Sequence, residues 1–181
     1  YNMLNELLRN DIIKYIKEKK YQHYQNQEQC LYRFYQEKDY FQLCETLHTI
    51  FFEENFSCLE DKIQSLVCQK PTAIEVLEAI TKIFPNQKGI PQNTKSACKR
   101  LCLFLRWMIR KNSEVDFGIW NILQEKDLII PLDTHVFRIS KQLSLTNRKQ
   151  ADMLSAIQIT EKLKITFPDD PLLGDYALFG Y

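Results

Sequence analysis

Basic side chains recur on one side of a predicted helix that is otherwise apolar. Residues 93–111 hold six Lys or Arg side chains and no Asp or Glu. A rotation of about 100° per residue brings Lys95, Lys99, Arg106 and Arg110 into one narrow strip. A helix that is apolar over most of its circumference is mostly buried, and an isolated buried charge is costly. These cations therefore need water, a carboxylate partner or a bound anion.

A carboxylate with two possible roles stands further along the chain, in the segment Ile-Pro-Leu-Asp133-Thr-His-Val-Phe-Arg-Ile. Its position before Val136 and Ile139 predicts a helix N-cap, which contributes about 1 kcal/mol. Backbone N–H groups at a helix N-terminus also keep a carboxylate ionised. Asp133 could therefore stabilise a developing cation or accept a proton, and the two roles are compatible.

Lysine supplies the complementary chemistry, because its amine can act as a nucleophile. Lys95 or Lys99 taken alone is better explained as a solvated surface lysine. Lys99 is the better placed of the two, since Arg106 lies seven residues later on the same predicted helix face. A lysine and an aspartate that meet across a cleft would form a catalytic pair.

The aromatic residues are less informative. Trp107, Trp120, Phe117 and Phe179 could each stack on a nucleobase. Aromatic residues at helical spacing belong more often to the core, and we expect this for Trp107 and Phe104.

Composition limits the class of protein. The chain has 181 residues, of which 45% are hydrophobic, four glycines and a net charge of +1. These values predict a helical globular protein with a real core, in which a local basic patch could contact phosphates. The six cysteines lack the spacing of a zinc site or cysteine-ligated cluster, so we expect no metal. No signal peptide or apolar run near 18 residues is present, which predicts a cytoplasmic protein without a membrane partner.

Periodicity and capping signals predict an all-α protein without a β-hairpin. Asp39 is expected to be an N-cap, Thr72 to Glu75 a capping box, and residues 85–92 a loop. The predicted helices cover residues 2–20, 39–52, 59–67, 72–84, 93–111, 115–124, 133–143, 148–167 and 174 onward.

Several of these segments together resemble known proteins. Residues 130–145 resemble the Val-Asp-Thr-His-x-x-Arg segment of helix-hairpin-helix DNA glycosylases, whose Asp is catalytic. Most of the chain also resembles an uncharacterised bacterial family of unknown function. That family is itself similar to archaeal 8-oxoguanine DNA glycosylases. The matching segments are Ser96 to Met108, Val115 to Trp120, Pro131 to Val136 and Asp170 to Gly180.

The resemblance implies a helix-hairpin-helix glycosylase-like bundle, with two lobes around a cleft and residues 1–181 forming one unit. The usual Leu-Pro-Gly-Val-Gly hairpin is replaced by Lys-Gly-Ile-Pro-Gln-Asn-Thr-Lys at residues 88–95. Because the chain starts at Tyr1 rather than at Met, we expect it to lack N-terminal helices of the full family.

The resemblance also implies roles for single residues. Lys99 would be the nucleophile, Asp133 the catalytic carboxylate and Arg106 the second basic residue. Asp175 would read the base edge, and Phe179 would stack on the base. His135 could bind a phosphate, orient Asp133 or be structural. The residues expected to contact DNA phosphates are Lys95, Arg110 and Lys111.

The function implied is that of a monomeric base-excision DNA glycosylase with lyase activity, acting on 8-oxoguanine or another oxidised purine in double-stranded DNA. No cofactor is needed, and the protein would lie in the cytoplasm at the bacterial nucleoid. One alternative is a non-catalytic nucleic-acid-binding module of the same fold. The other is a helical protein-interaction domain, in which Asp116, Glu114 or Asp127 pairs with the basic strip. An open cleft with Lys99 and Asp133 favours catalysis, whereas closed structural ion pairs favour the interaction domain.

Overall fold

The computed structural model describes residues 11–25, 28–111 and 113–180, and it is mostly helical in that part of the chain, as predicted. Eight α-helices and one two-stranded antiparallel sheet are present there. The helices are α1 (Ile12–Lys17), α2 (Glu37–His48), α3 (Leu59–Gln64), α4 (Ala73–Ile83), α5 (Lys99–Ile109), α6 (Thr134–Gln142), α7 (Met153–Thr166) and α8 (Leu173–Gly180). The strands are β1 (Cys30–Tyr32) and β2 (Tyr35–Gln36). Short turns cover Gln22–Tyr24 (3-10), Thr49–Glu53 (π) and Glu125–Asp127 (3-10).

One large hydrophobic core holds α4, α5, α6 and α7 together. Burial of apolar surface of this kind stabilises a fold by about 25 cal/mol per Å². The α5 side chains in this core are Leu101, Cys102, Leu105 and Ile109, and the segment before α6 adds Leu128, Ile130 and Leu132. A smaller cluster between α1 and α2 contains Tyr15, Ile16, Tyr21, Tyr24 and Cys44. Leu47 of α2 packs against both clusters and joins them.

The basic helix is shorter than predicted. Helix α5 begins at Lys99, because Cys98 has a left-handed backbone (φ 46°) that interrupts a helix. The residues before it pair with the start of α7: Ser96 forms an isolated bridge with Asp152, and the Lys95 carbonyl accepts from the Met153 amide at 3.3 Å. Lys95 therefore lies outside the helix and does not share the strip with Lys99.

The prediction of a helix over residues 115–124 is wrong, because that segment has no regular secondary structure. The Phe117 and Gly118 amides donate to the Trp107 carbonyl, and the Trp120 amide donates to the Met108 carbonyl. These bonds satisfy the carbonyls at the end of α5, which a helix otherwise leaves unpaired. Gly118 has a positive φ of 59° and no room for a Cβ, since Lys111 and the Arg110 carbonyl lie against it. Tertiary contacts thus decided the conformation of this segment.

The N-terminal predictions need two corrections. Helix α2 begins at Glu37, and Asp39 is its third residue, where its carboxylate accepts from the Gln36 amide at 2.8 Å. The sequence also predicted no hairpin, yet β1 and β2 form one. Its turn places Arg33 at a positive φ (55°) where Gly or Asn is usual, so the ordinary turn signal is missing. Part of the predicted helix 2–20 falls on residues 1–10, outside the described residues.

Other local predictions are confirmed. Thr72 caps α4, and Glu75 completes the capping box. Asp133 caps α6. Helix α7, by contrast, starts later than predicted, after an N-cap at Asp152 that was not among the predictions. In the part of the chain described here, no helix is both long enough and apolar enough to cross a membrane.

Candidate active site

Two helix N-termini converge on a lysine–aspartate pair. Lys99 is the first residue of α5, and Asp133 is the N-cap of α6. The Lys99 Nζ donates to Asp133 Oδ2 at 2.9 Å across 34 residues of sequence. The pair is open to solvent, with 47% of the Lys99 side chain and 22% of the Asp133 side chain exposed. The predicted meeting of these two groups is therefore present, while their catalytic role stays a prediction.

Asp133 is held firmly as an anion. Its Oδ1 accepts from the Val136 amide at 2.7 Å, which leaves Oδ2 for Lys99. Partial burial acts to raise the pKa of the Asp133 carboxyl, but the Val136 amide and the Lys99 ammonium together lower it below its usual value. The carboxylate is thus ionised and fixed in direction before any ligand arrives.

A second acid–base pair lies beside the first. Asp175 of α8 is buried and accepts from Arg106 Nη1 of α5 at 3.2 Å. Burial raises the pKa of Asp175 to about 6 even though Arg106 acts to lower it, and the negative charge of Asp133 raises it further. Charges at Lys99 and Asp133 are therefore close enough to influence Asp175, and the four predicted residues form one electrostatic cluster.

His135 and Phe179 lie where α6 contacts α8. Their rings meet edge to face at a centroid distance of 6.3 Å, and the His135 Nδ1 lies 3.3 Å from Arg138 Nη2. Phe179 is largely exposed. An exposed aromatic ring next to the charged cluster has a free face on which a planar ligand could stack.

The other end of the basic strip is closed. Arg110 is bonded to Asp116 Oδ2 at 2.9 Å and to Asp170 Oδ2 at 2.8 Å, and Arg106 also reaches Asp116 Oδ1 at 3.3 Å. The Tyr176 ring covers both guanidinium groups, at 5.0 Å from Arg106 and 5.4 Å from Arg110. We call these two arginines, with Asp116, Asp170, Asp175 and Tyr176, the buried arginine network.

This network corrects the role predicted for Arg110. Only 3% of its side chain is exposed, and its charge is satisfied by the carboxylates of Asp116 and Asp170, so it cannot serve as a phosphate contact. Asp116, suggested as a partner under the interaction-domain alternative, does pair with Arg106 and Arg110. Lys95 and Lys111 are exposed, at opposite ends of α5, and their contact with phosphates stays a prediction.

The aromatic predictions were partly wrong. Trp107, expected in the core, is partly exposed, whereas Trp120 is buried with its ring edge against Phe104 at 5.3 Å. Trp120 therefore cannot stack on a nucleobase. Phe117 and Phe179 are both largely exposed and keep that possibility.

The sequence did not reveal the surroundings of Lys99. A cavity of about 550 Å³ lies beside it, lined by the loop at Gly89, Ile90 and Pro91 and by residues 96–100. Arg100 points to this loop, with its Nη1 3.5 Å from the Gly89 carbonyl. Among the described residues, no three His, Cys, Asp or Glu side chains lie close enough to hold a metal ion.

Comparison with known proteins places the chain in a family. Residues 1–181 match a family model whose description is "Protein of unknown function (DUF2400)". No curated protein and no solved structure matches the chain. Because the family model covers its whole length, the chain belongs to the DUF2400 family.

Proposed function

We propose that this protein is a base-excision DNA glycosylase with lyase activity, of the helix-hairpin-helix type, and that it acts on an oxidised purine such as 8-oxoguanine in double-stranded DNA. The observation that carries the proposal is the 2.9 Å contact between Lys99 Nζ and Asp133 Oδ2 in a solvent-open position. A purely structural ion pair has little reason to stand there, because exposed pairs contribute at most about 1 kcal/mol.

The local backbone supports a functional role for Lys99. A cation at the N-terminus of a helix is electrostatically unfavourable, and Cys98 directly before it has a strained left-handed backbone. Such strain costs on the order of 1–3 kcal/mol and is concentrated at functional sites. Two unfavourable features at one residue favour a role in chemistry over one in stability.

The residues present can carry out each chemical step. As the bond between C1′ and the base breaks, the base leaves with the electron pair and the sugar becomes cationic. The fixed Asp133 carboxylate stabilises that cation. Through their 2.9 Å contact it also positions Lys99, whose ammonium must lose a proton to water before the amine attacks.

Attack by the Lys99 lone pair forms an N–C1′ bond. Opening of the sugar ring at the C1′–O4′ bond then gives an iminium. Water then takes a proton from C2′, a C2′–C3′ double bond forms, and the 3′-phosphate leaves with the electron pair of the C3′–O bond, which breaks the DNA strand. No group beyond the side chains and water takes part in these steps.

Base recognition would use the neighbouring cluster. An enzyme of this kind must flip the damaged nucleotide out of the stack. Phe179 offers a free face for the flipped base, and Asp175 offers a carboxyl whose pKa of about 6 allows it to accept or donate a proton to a base edge. Lys95 and Lys111 are the lysines of this region that stay available to phosphates.

The test is trapping of the covalent intermediate with borohydride on duplexes that carry different oxidised purines. Lys99→Gln should abolish trapping, because glutamine keeps most of the side-chain length but cannot form an imine. Asp133→Asn should still cap α6 yet slow the reaction a few hundred-fold, about 3 kcal/mol of transition-state stabilisation. Lys95→Gln is the matched control and should be trapped like the wild type.

Two results would reject this mechanism. Trapping that survives Lys99→Gln but is lost in Lys95→Gln would show that Lys95, not Lys99, is the nucleophile. Wild-type behaviour of all three variants on every lesion would leave Asp133 as a helix cap and Lys99 as a surface lysine. A non-catalytic nucleic-acid-binding module would bind duplex DNA in a salt-dependent way without any trapping.

One observation favours the protein-interaction alternative. Val115, Phe117 and Ile119 occupy every second position of the irregular segment after α5, and all three are largely exposed. An apolar row of this kind is typical of an interaction surface. Triple substitution of the row with Ser should leave trapping unchanged if the glycosylase proposal is correct, and should matter only for binding of another protein.

A further inference from the structure

The hairpin that the sequence did not predict carries an exposed aromatic ring. Phe34 lies in the turn between β1 and β2 and is 47% exposed. Its ring stacks on Tyr35, with centroids 4.7 Å apart and an interplanar angle of 29°. An exposed Phe in a two-residue turn contributes little to folding, so its position needs another explanation.

The hairpin is anchored to the loop beside Lys99. The Tyr35 hydroxyl lies so close to Gly89 that any Cβ at that position would overlap it, and Gly89 has a positive φ of 91°. The Gly89 carbonyl in turn accepts from Arg100, the residue after Lys99. This chain of contacts fixes Phe34 relative to the start of α5, so the ring is presented on a supported element.

Two cations lie over the Phe34 ring. The Arg100 guanidinium carbon and the Lys88 Nζ each lie 5.8 Å from its centroid. Lys88 is partly neutralised by Asp39, at 3.5 Å. Arg100 has no carboxylate within ion-pair distance in the described portion of the chain, and its side chain is exposed. The surface therefore combines a flat aromatic face with at least one unpaired positive charge.

We propose that Phe34 is a stacking platform for an unpaired nucleobase of the bound DNA, with Arg100 and Lys88 contacting the phosphates on either side. This inference rests on the proposed function, since it supplies a second contact with the same DNA. Nucleic acid is the partner that fits, because it joins planar rings to a regular row of negative charges. Aromatic stacking on single-stranded bases is tolerant of sequence, and the hairpin has no side-chain amide at its tip to read one base.

The experiment uses an undamaged duplex with a single bulged 2-aminopurine, so that neither a lesion nor catalysis is required. Wild-type protein should quench the 2-aminopurine fluorescence by stacking and should bind this duplex more tightly than a fully paired one. Phe34→Ala should remove the quenching and weaken binding about tenfold, while Phe34→Trp should retain both. Ile165→Ala is the control, since Ile165 is an apolar residue of α7 that is 77% exposed and has no proposed contact with DNA, and it should behave like the wild type.

Arg100→Gln provides a second variant that leaves the Phe34 ring in place. It should keep the quenching but lower the salt dependence of binding by about one phosphate contact. Circular dichroism would verify that each variant is folded. The inference is overturned if Phe34→Ala quenches and binds like the wild type, if Ile165→Ala causes the same loss, or if the wild type shows no preference for the bulge.

The two proposals can fail separately. If borohydride trapping never occurs but the Phe34-dependent quenching persists, the stacking platform stands and the glycosylase chemistry is rejected. If trapping depends on Lys99 while Phe34→Ala binds the bulged duplex normally, the chemistry stands and the platform is rejected.

Discussion

The two ends of helix α5 use the same kind of side chain for opposite purposes. At its start, Lys99 is half exposed and contacts a single carboxylate, Asp133, at 2.9 Å. At its end, Arg110 is almost fully buried between Asp116 and Asp170. A cation strip that is continuous in sequence is thus divided into an open pair and a closed network.

The difference shows why charge alone does not identify a functional site. A buried guanidinium with two carboxylates has its bonding capacity satisfied and loses its affinity for an outside anion. An exposed amine next to one carboxylate keeps unused hydrogen-bond donors and leaves room for a substrate. Arg106 stands between these cases, because it belongs to the network and also contacts Asp175 beside the open pair.

The largest expected effect comes from breaking the closed network. Arg110→Met leaves Asp116 and Asp170 without their buried partner and should lower the free energy of unfolding by about 3–5 kcal/mol. Urea denaturation would measure this loss. Arg100→Met, an exposed arginine on the same helix, is the control and should change stability by less than about 0.5 kcal/mol. Equal effects of the two substitutions would contradict the distinction between the ends of α5.

A pH titration tests where the network meets the open pair. The pKa of Asp175 is about 6 in the folded protein, above its usual value of 3.8, so the folded state holds this proton longer than the unfolded state does. Stability contributed by this group should therefore fall as pH rises from about 4 to about 6, by on the order of 2 kcal/mol. Urea unfolding of wild type and Asp175→Asn at several pH values would reveal it. A difference between the two proteins that stays constant over this range would contradict the raised pKa.

The smallest expected effect belongs to the open pair. Lys99→Gln removes an exposed ion pair and should change the free energy of unfolding by less than about 1 kcal/mol. Asp133→Asn should also be nearly neutral because Asn caps helices well, whereas Asp133→Ala should cost about 1 kcal/mol. Thermal unfolding of the three variants would separate the capping role from the ion pair. A loss with Lys99→Gln as large as that with Arg110→Met would assign Lys99 to the structural group.

Local interactions explain what could be predicted from sequence. The caps at Thr72 and Asp133 depend on side chains three residues from the amides they bind, so their signals are contained in a short window. The encounter of Lys99 with Asp133, which lie 34 residues apart, was predicted from the chemistry of the two residue types and from the resemblance to helix-hairpin-helix glycosylases, not from a local pattern. The general helical character followed from the periodicity of apolar residues.

Long-range interactions explain what could not. Asp170 contacts Arg110 across 60 residues, and no local pattern encodes that pairing. Asp116 was among the expected partners, but it was expected to lie on a helix. Its segment is not helical, because the amides of residues 117, 118 and 120 donate to carbonyls at the end of α5, and these contacts form only in the folded protein. The left-handed Cys98 makes α5 start later than predicted for a similar reason, since the preceding residues pair with the start of α7.

The most direct test of the central claim locates the covalent bond itself. After borohydride reduction of wild-type protein on a duplex with an oxidised purine, proteolysis and mass spectrometry would identify the modified lysine. The account predicts a sugar adduct on Lys99 and none on Lys95 or Lys111. An adduct on another lysine, or no adduct with any oxidised purine, would contradict the assignment of the open end of α5 to catalysis.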